Sequence, residues 1–217
     1  WMNYLKNTGV NSVDSVIVGQ PEFFNALNTA LSATPIDVWK QYIRFNLLND
    51  MAGVLPDAYG NQAFHFNKLF SGAKERKPRW KRAIQMEEGA MGEMLGQLYV
   101  KEFFNEKAKK RYTDMVEAIR EALKDRIAKL TWMSDSTKQK AYTKLATIKS
   151  KVGYPEKWKD FSSLSISRES LAKNYMNANV FWHNYQYNKL GKPVDRDEWD
   201  MTPQTYNAYY NPSNNEI

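Results

Sequence analysis

The sequence of 217 residues contains no cysteine and only two histidines. Without cysteine, no disulfide framework can form and no thiolate is available to bind a metal ion. No apolar run approaches the roughly 18 residues that a membrane-spanning helix requires. These absences exclude a disulfide-stabilised domain and a membrane span within this chain.

The two histidines lie in aromatic surroundings that favour packing over metal binding. His65 stands between Phe64 and Phe66, and His183 follows Trp182. A zinc-dependent hydrolase of the His-Glu-x-x-His type requires two histidines on one helical turn and a further carboxylate ligand. Neither histidine has a second ligand at helical spacing. The sequence therefore predicts no metal ligand and no catalytic residue in this chain.

The residues that are present indicate a folded, mainly helical chain. Hydrophobic residues make up 42% and aromatic residues 14% of the sequence, which is typical of a globular core. Apolar residues recur every three or four positions over one long segment, while charged residues fill its other side. These apolar residues are Tyr112, Met115, Val116, Ile119, Leu123, Ile127 and Leu130. We predict a mainly α fold in which a multi-helix domain precedes a short extended or β segment at the C-terminus.

Proline, serine and threonine mark where several helices should begin. Pro21 is suited to a first helical turn, and Thr34 is expected to cap a helix with Pro35 at its first position. Ser134 or Asp135 should cap a later helix. A helix over about 78–104 contains small residues at a spacing that predicts close approach of another helix. These are Gly89, Gly92 and Gly96.

The composition changes near residue 190, which predicts a domain boundary. Residues 1–190 show helical periodicity, and residues 191–217 are richer in turn and extended-chain residues. Thr205, Tyr206, Tyr209 and Tyr210 favour one short strand over 205–210, and 211–215 have the composition of a turn. Because a two-stranded unit needs a partner strand, we expect that partner to be missing and this segment to belong to a longer domain.

The positive charge of the chain makes nucleic-acid binding a function to consider. The net charge is +7, with a pI near 9.3. The basic cluster at 74–82 consists of Lys74, Arg76, Lys77, Arg79, Lys81 and Arg82. Such a cluster can bind phosphates, and Trp80 within it could stack on a base. Because Glu75, Glu87 and Glu88 lie close by, no long field of one sign forms, and no nucleic-acid partner is predicted.

Short motifs follow one another along the chain: Lys77-Pro78-Arg79-Trp80, Leu98-Tyr99-Val100, Trp132-Met133-Ser134, Gly153-Tyr154-Pro155 and Asn207-Ala208-Tyr209-Tyr210-Asn211-Pro212. In this order they resemble landmarks of the neprilysin-type (gluzincin) zinc metalloendopeptidases. The resemblance runs from the first helices to the last residues. Animal ectodomains of this family carry disulfides, so the absence of cysteine fits a bacterial member better.

The resemblance implies a function for the full-length protein and a division of labour within it. The chain would cover part of the helical N-terminal domain and the first edge strand of the catalytic domain, with the zinc site beyond Ile217. Asn207, Ala208 and Tyr209 would bind the backbone of an oligopeptide substrate, and the helical part would help to enclose the substrate cavity. The chain alone would bind no zinc and be inactive, and its partner would be the rest of the catalytic domain. An extracytoplasmic location, in the periplasm or cell envelope, is favoured.

The residues also leave other functions open. A helical bundle with amphipathic faces is compatible with a non-catalytic protein-interaction domain. The basic cluster at 74–82 keeps a nucleic-acid-binding domain as a weaker alternative. Salt-dependent binding would distinguish nucleic-acid recognition from both other functions, because phosphate contacts release counterions.

Overall fold

The computed structural model describes residues 1–11, 13 and 15–217, and these residues are mainly helical. The helices are α1 (Met2–Asn7), α2 (Pro21–Ala33), α3 (Ile36–Asp50), α4 (Asp57–Ser71), α5 (Arg79–Phe103), α6 (Glu106–Ala128), α7 (Asp135–Ala146) and α8 (Leu171–Tyr187). The predicted mainly α fold class is confirmed. None of these helices has the length and apolarity needed to cross a membrane.

The chain divides into two compact units. Unit 1 combines Trp1–Arg79 with Leu164–Leu190 and contains α1 to α4 and α8. Unit 2 combines Trp80–Ser163 with Gly191–Ile217 and contains nearly all of α5 together with α6 and α7. The predicted division into domains 1–190 and 191–217 stays a prediction.

In unit 1, α3 packs against α4, and a buried glycine lies beneath an arginine. The Arg76 guanidinium covers Gly60, where an added Cβ would lie 2.0 Å from Nη2. Arg76 Nη1 donates to Asp57 Oδ1 at 3.2 Å and to Asn61 Oδ1 at 2.9 Å. A side chain at position 60 would therefore require the Arg76 guanidinium to move away from its place over the helix.

The predicted cap of α3 is wrong. Thr34 ends α2, and Pro35 occupies the position before the first residue of α3, with no side chain capping the helix. Proline fixes its own φ, which is −57° here, and its ring has no acceptor that could cap the first turn. Pro21, by contrast, begins α2 as predicted.

Large apolar side chains remain exposed on α3 and α4. Phe45 is 70% exposed, Leu69 73% and Phe70 77%. The buried apolar side chains that the structure describes in unit 1 are Ala52, Ala178 and Phe181. The buried apolar core described in unit 1 is therefore small beside its exposed apolar faces.

In unit 2, side chains cap the second and third helices. Asn105 Oδ1 accepts from the amide of Ala108 at 2.9 Å at the start of α6, and Ser134 Oγ accepts from the amide of Thr137 at 3.3 Å at the start of α7. The Ser134 alternative of the sequence prediction is therefore confirmed. Helix α6 packs against α7.

The small residues of α5 receive the C-terminal segment rather than another helix, which corrects the sequence expectation. The helix is kinked at Met91, whose φ is −148° and ψ 36°. A Cβ added at Gly96 would lie 2.8 Å from Pro203 Cδ, and one added at Gly92 would lie 3.0 Å from Thr202 Cγ2. The missing side chains thus allow residues 202–204 to lie directly on the helix.

The extended pairing of the C-terminus differs from the predicted strand. Residues 205–210 form no strand in the described chain. Instead, residues 215–217 pair in parallel with 149–151: Lys149 N donates to Asn215 O at 2.9 Å, Ile217 N to Lys149 O at 3.0 Å and Lys151 N to Ile217 O at 2.7 Å. Glu216 also pairs antiparallel with Asn211. Residues 215–217 therefore pair within the chain, whereas no described residue forms a partner strand for 205–210.

Candidate functional site

The segment Asn207-Ala208 is exposed and follows a turn. Thr205 N donates to Thr202 O at 3.0 Å, and Asn207 N donates to Thr205 O at 3.0 Å. Asn207 Oδ1 accepts from Ala208 N at 2.8 Å. No described residue donates to the carbonyl oxygens of Asn207 and Ala208. These two acceptors and the Asn207 Nδ2 donor are therefore available to an extended peptide.

Two tyrosines anchor the chain immediately after this exposed segment. Tyr209 Oη donates to Glu216 Oε1 at 3.2 Å, and Tyr210 Oη donates to Asn215 Oδ1 at 3.0 Å. The Tyr209 hydroxyl is thus hydrogen-bonded to Glu216 of the same chain. Its ring is half-buried, whereas Asn207 and Ala208 are exposed.

Behind Tyr209 lies a buried ion pair. Lys151 Nζ donates to Glu216 Oε2 at 2.6 Å, and the two side chains are 2% and 0% exposed. Lys151 Nζ also donates to the carbonyl oxygen of Glu198. Removing two charges from water is costly unless each is paired and hydrogen-bonded, and here both are. Glu216 connects Lys151 and Tyr209, which lie on separate segments.

The ion pair affects the chemistry of Tyr209. Burial, followed by the negative charge of Glu216, raises the pKa of the Tyr209 phenol from 10.0 to about 12. Both causes disfavour the phenolate, because it would place a second negative charge beside a carboxylate away from water. Tyr209 is accordingly held as a neutral hydrogen-bond donor.

A cavity of about 670 Å³ opens beside residues 149–157, and charges of both signs line it. Lys109 pairs with Glu156 at 2.5 Å, and Lys149 pairs with Asp197. The Lys149 ammonium lowers the pKa of Asp197 below its ordinary value, first through its hydrogen bond and then through its charge. Because four lysines and three carboxylates line the cavity, it offers no single-sign field to a ligand.

The C-terminal segment is also attached to α5. Gln204 Nε2 donates to the carbonyl oxygen of Gly92 at 3.0 Å, beside the kink at Met91. A distorted helical turn leaves carbonyl groups without their usual partners, and the glutamine amide supplies one. Gln204 thereby fixes the start of the turn that leads to Asn207.

The histidines do not form a metal site. His183 Nε2 lies 3.1 Å from the carbonyl oxygen of Thr8, and its ring stacks on Tyr187 at 4.1 Å between centroids. His65 lies within α4. Among the described residues, no group of three or more His, Cys, Asp or Glu side chains is placed to hold a metal ion. The donors of the described residues therefore do not fit a zinc ion.

The basic cluster at 74–82 is partly occupied by partners in its own chain. Arg76 is bound to Asp57 and Asn61, and Lys81 Nζ lies 5.3 Å from the centroid of the Trp80 ring. Lys77 and Arg82 also have interaction partners. The absence of a nucleic-acid partner stays a prediction.

The sequence reading found the exposed segment but missed what supports it. Lys151 and Glu216 are separated by 65 residues, so no local pattern connects them. A signal was nevertheless present in the Gly-x-x-x-Gly spacing of Gly92 and Gly96, which marks a close approach without identifying what approaches.

Comparison with known proteins gives consistent matches. The profile of peptidase family M13 matches residues 1–155. A neutral endopeptidase of Lactobacillus helveticus is 33% identical over 217 residues, covering 99% of this chain and 34% of the relative. Human endothelin-converting enzyme 1 is 27% identical over 229 residues, covering 100% of this chain and 30% of the relative.

Solved structures agree with these matches. A zinc metalloprotease of Mycobacterium tuberculosis, Zmp1, in complex with an inhibitor, superposes with a TM-score of 0.88 and 36% identity, covering 100% of this chain and 33% of that protein. PepO from Lactobacillus rhamnosis gives a TM-score of 0.77 and 29% identity, covering 87% of this chain and 30% of that protein. The chain thus spans about a third of the length of the relatives it matches.

Proposed function

Because this chain belongs to peptidase family M13, we propose that the full-length protein is a zinc metalloendopeptidase that hydrolyses peptide bonds in oligopeptides. Support comes from relatives described as a neutral endopeptidase and as a zinc metalloprotease. Both align with this chain over at least 99% of its length.

Within that protein, Asn207 and Ala208 bind the main chain of the substrate. The observation that carries this proposal is the pair of open carbonyl oxygens at Asn207 and Ala208, which are exposed and directly followed by an anchored tyrosine. Main-chain pairing gives affinity for peptides with little dependence on their sequence. Asn207 Nδ2 adds a donor for a substrate carbonyl, and the small side chain of Ala208 permits close approach.

Tyr209 belongs to the same segment, but its hydroxyl is engaged by Glu216. Its contribution to substrate binding then comes from its main chain and from the exposed part of its ring. Its hydroxyl is not needed for contact with the peptide.

Zinc is bound by residues outside this chain, and this chain by itself is inactive. The support is chemical, since the described residues contain no set of donors that fits a zinc ion. The relatives are about three times as long as the chain, which leaves room for the ligands elsewhere. Replacing both His65 and His183 with glutamine in the full-length protein should leave the zinc content of the folded protein unchanged, as measured by elemental analysis. Loss of the metal on replacement of either histidine would contradict this.

The helical part contributes a wall to the substrate cavity and packs against the rest of the protein. The exposed apolar faces of α3 and α4, with Phe45, Leu69 and Phe70, support such packing. The remainder of the catalytic domain is the partner proposed for these faces.

The substrate-binding role is tested by Asn207→Ala in the full-length enzyme. We expect kcat/KM on a peptide substrate to fall by ~5- to 150-fold, which corresponds to the ~1–3 kcal/mol cost of leaving a buried partner unpaired. Asn28→Ala is the matched control, because Asn28 is an exposed asparagine on α2. An unchanged kcat/KM for Asn207→Ala would remove this residue from the site.

A further inference from the structure

Glu216 is a fully buried carboxylate whose two oxygens bind two different segments of unit 2. Oε2 accepts from Lys151, in the extended segment 149–151, and Oε1 accepts from the Tyr209 hydroxyl. A buried ion pair contributes little net stability compared with apolar residues of the same volume, but it can restrict the chain to one arrangement. The pair is therefore a candidate for specifying geometry rather than for adding stability.

The geometry that Glu216 specifies includes the exposed carbonyl of Ala208. The peptide group between Ala208 and Tyr209 is planar, so the Ala208 carbonyl and the Tyr209 N–H share one plane. A hydrogen bond that holds the Tyr209 side chain restricts the rotation of this plane. The orientation of the Ala208 carbonyl therefore depends on the contact between Tyr209 and Glu216.

The main chain of Glu216 restrains the same segment from its other end. Asn211 N donates to Glu216 O at 2.9 Å, and Glu216 N donates to Asn211 O at 3.2 Å. Residue 216 is itself fixed between 211 and 149. The residues after Ala208 are thus attached to Glu216 both through the side chain of Tyr209 and through the backbone of Asn211.

We propose that Glu216, held by Lys151, is a positioning residue that acts through Tyr209 to orient the main chain of Asn207-Ala208 for binding the substrate backbone. This inference rests on the proposed role of Asn207 and Ala208. Neither Glu216 nor Lys151 contacts the peptide, because both side chains are almost completely buried. Their effect on catalysis passes through the orientation of the open carbonyl groups.

The test uses Tyr209→Phe in the full-length enzyme, since this change removes the hydroxyl and keeps the ring. We expect KM for a peptide substrate to rise ~3- to 10-fold, as for the loss of one ordinary hydrogen bond, while kcat stays within about twofold. Tyr112→Phe, which removes an exposed hydroxyl from α6, should leave both constants unchanged.

A double variant separates positioning from a direct contribution. If Tyr209 acts by orienting the segment that carries both the open carbonyl groups and the Asn207 side chain, then Tyr209→Phe should raise KM by a smaller factor when Asn207 is already alanine than it does in the original protein. Equal effects in both backgrounds would overturn the inference, because Tyr209 would then act independently of Asn207. An unchanged KM for Tyr209→Phe alone, with Asn207→Ala impaired, would overturn the inference and leave the proposed function standing. If Asn207→Ala leaves kcat/KM unchanged, the proposed substrate-binding role of Asn207 is wrong, and the positioning role that rests on it is wrong with it.

The KM of Glu216→Gln is a second measurement, because KM would stay unchanged if the ion pair only supported the fold. The amide keeps the volume and an acceptor for Tyr209 but removes the charge that holds Lys151. We expect KM to rise while kcat of the folded fraction is preserved. A lower Tm with an unchanged KM would show that the ion pair supports the fold only, and would contradict positioning.

Discussion

The Lys151 ammonium and the Glu216 carboxylate meet at 2.6 Å with their side chains 2% and 0% exposed, and this pair joins the end of the chain to the loop after α7. Glu216 is the described residue whose side chain is most completely removed from solvent. The other carboxylate oxygen contacts the tyrosine that follows the exposed segment. Removal of the Glu216 side chain alone would therefore affect both the stability of unit 2 and the geometry of the proposed site.

Removing one partner of this ion pair should lower the free energy of unfolding more than replacing both partners with apolar residues. Glu216→Leu alone leaves the Lys151 charge buried without a partner, and we expect the free energy of unfolding to fall by ~3–5 kcal/mol. The double variant Lys151→Met with Glu216→Leu should recover much of this loss, because apolar residues of similar volume fill the site. Urea unfolding of the full-length protein measures the free energy of unfolding of both variants, taken from the transition in which unit 2 unfolds.

The matched control is Glu156→Gln, because Glu156 also pairs with a lysine but is 90% exposed. Solvent screens that pair, so its loss should leave the unfolding midpoint unchanged. A Glu216→Leu variant as stable as Glu156→Gln would show that the buried pair does not form in the full-length protein.

The raised pKa of Tyr209 predicts a loss of stability at alkaline pH. Because the folded state holds the phenol proton up to about pH 12 and the unfolded chain releases it near 10.0, the stabilisation is complete below pH 10. It is lost as the pH rises towards 12. Tyr209→Phe should therefore show a smaller alkaline loss of stability, by roughly 1 kcal/mol after allowance for solvent screening of the half-buried ring.

Titration of the tyrosine Cζ resonances by NMR, with the Tyr209 signal assigned by its absence in Tyr209→Phe, measures the pKa directly. A Tyr209 midpoint near 10 would indicate that Glu216 and burial do not act on the phenol.

Two glycines of α5 should respond oppositely to alanine. Nothing lies within 4 Å of a Cβ added at Gly89, so Gly89→Ala should stabilise the protein by ~0.5–1 kcal/mol through helix propensity. At Gly96 the new Cβ would lie 2.8 Å from Pro203 Cδ, so Gly96→Ala should destabilise by ~1–3 kcal/mol through overpacking. Chemical denaturation of the two variants gives the comparison. Stabilisation by both would mean that residues 202–204 do not rest on α5.

Two hydroxyl residues that the sequence treats alike should also differ. Ser134 caps α7, so Ser134→Ala should cost ~1 kcal/mol. Thr34 was expected to cap α3 but makes no capping bond, so Thr34→Ala should leave stability within ~0.5 kcal/mol of the original. Thermal unfolding of both variants is a sufficient measurement. Equal destabilisation would show that Thr34 does cap α3 in solution.

Sequence reading succeeded where the signal was local. The apolar residues from Tyr112 to Leu130 predicted α6, which spans Glu106–Ala128, and Pro21 marked the start of α2. The motifs that end with Asn207-Ala208 predicted the family, which the match over residues 1–155 confirms. The prediction that Thr34 caps α3 was wrong, because Pro35 precedes the helix and no side chain caps it. The strand predicted over 205–210 is not formed, because these residues have β propensity but no partner strand among the described residues.

The sequence by itself determined long periodic helices such as α6 and the family, because helix formation depends on contacts between residues three or four positions apart, which a linear pattern records. Only the tertiary structure decided that residues 202–204 lie on Gly92 and Gly96, that 215–217 pair with 149–151, and that Lys151 meets Glu216. These contacts join residues far apart along the chain, and such pairings depend on which surfaces come together in three dimensions. Propensity at single positions carries no information about that choice.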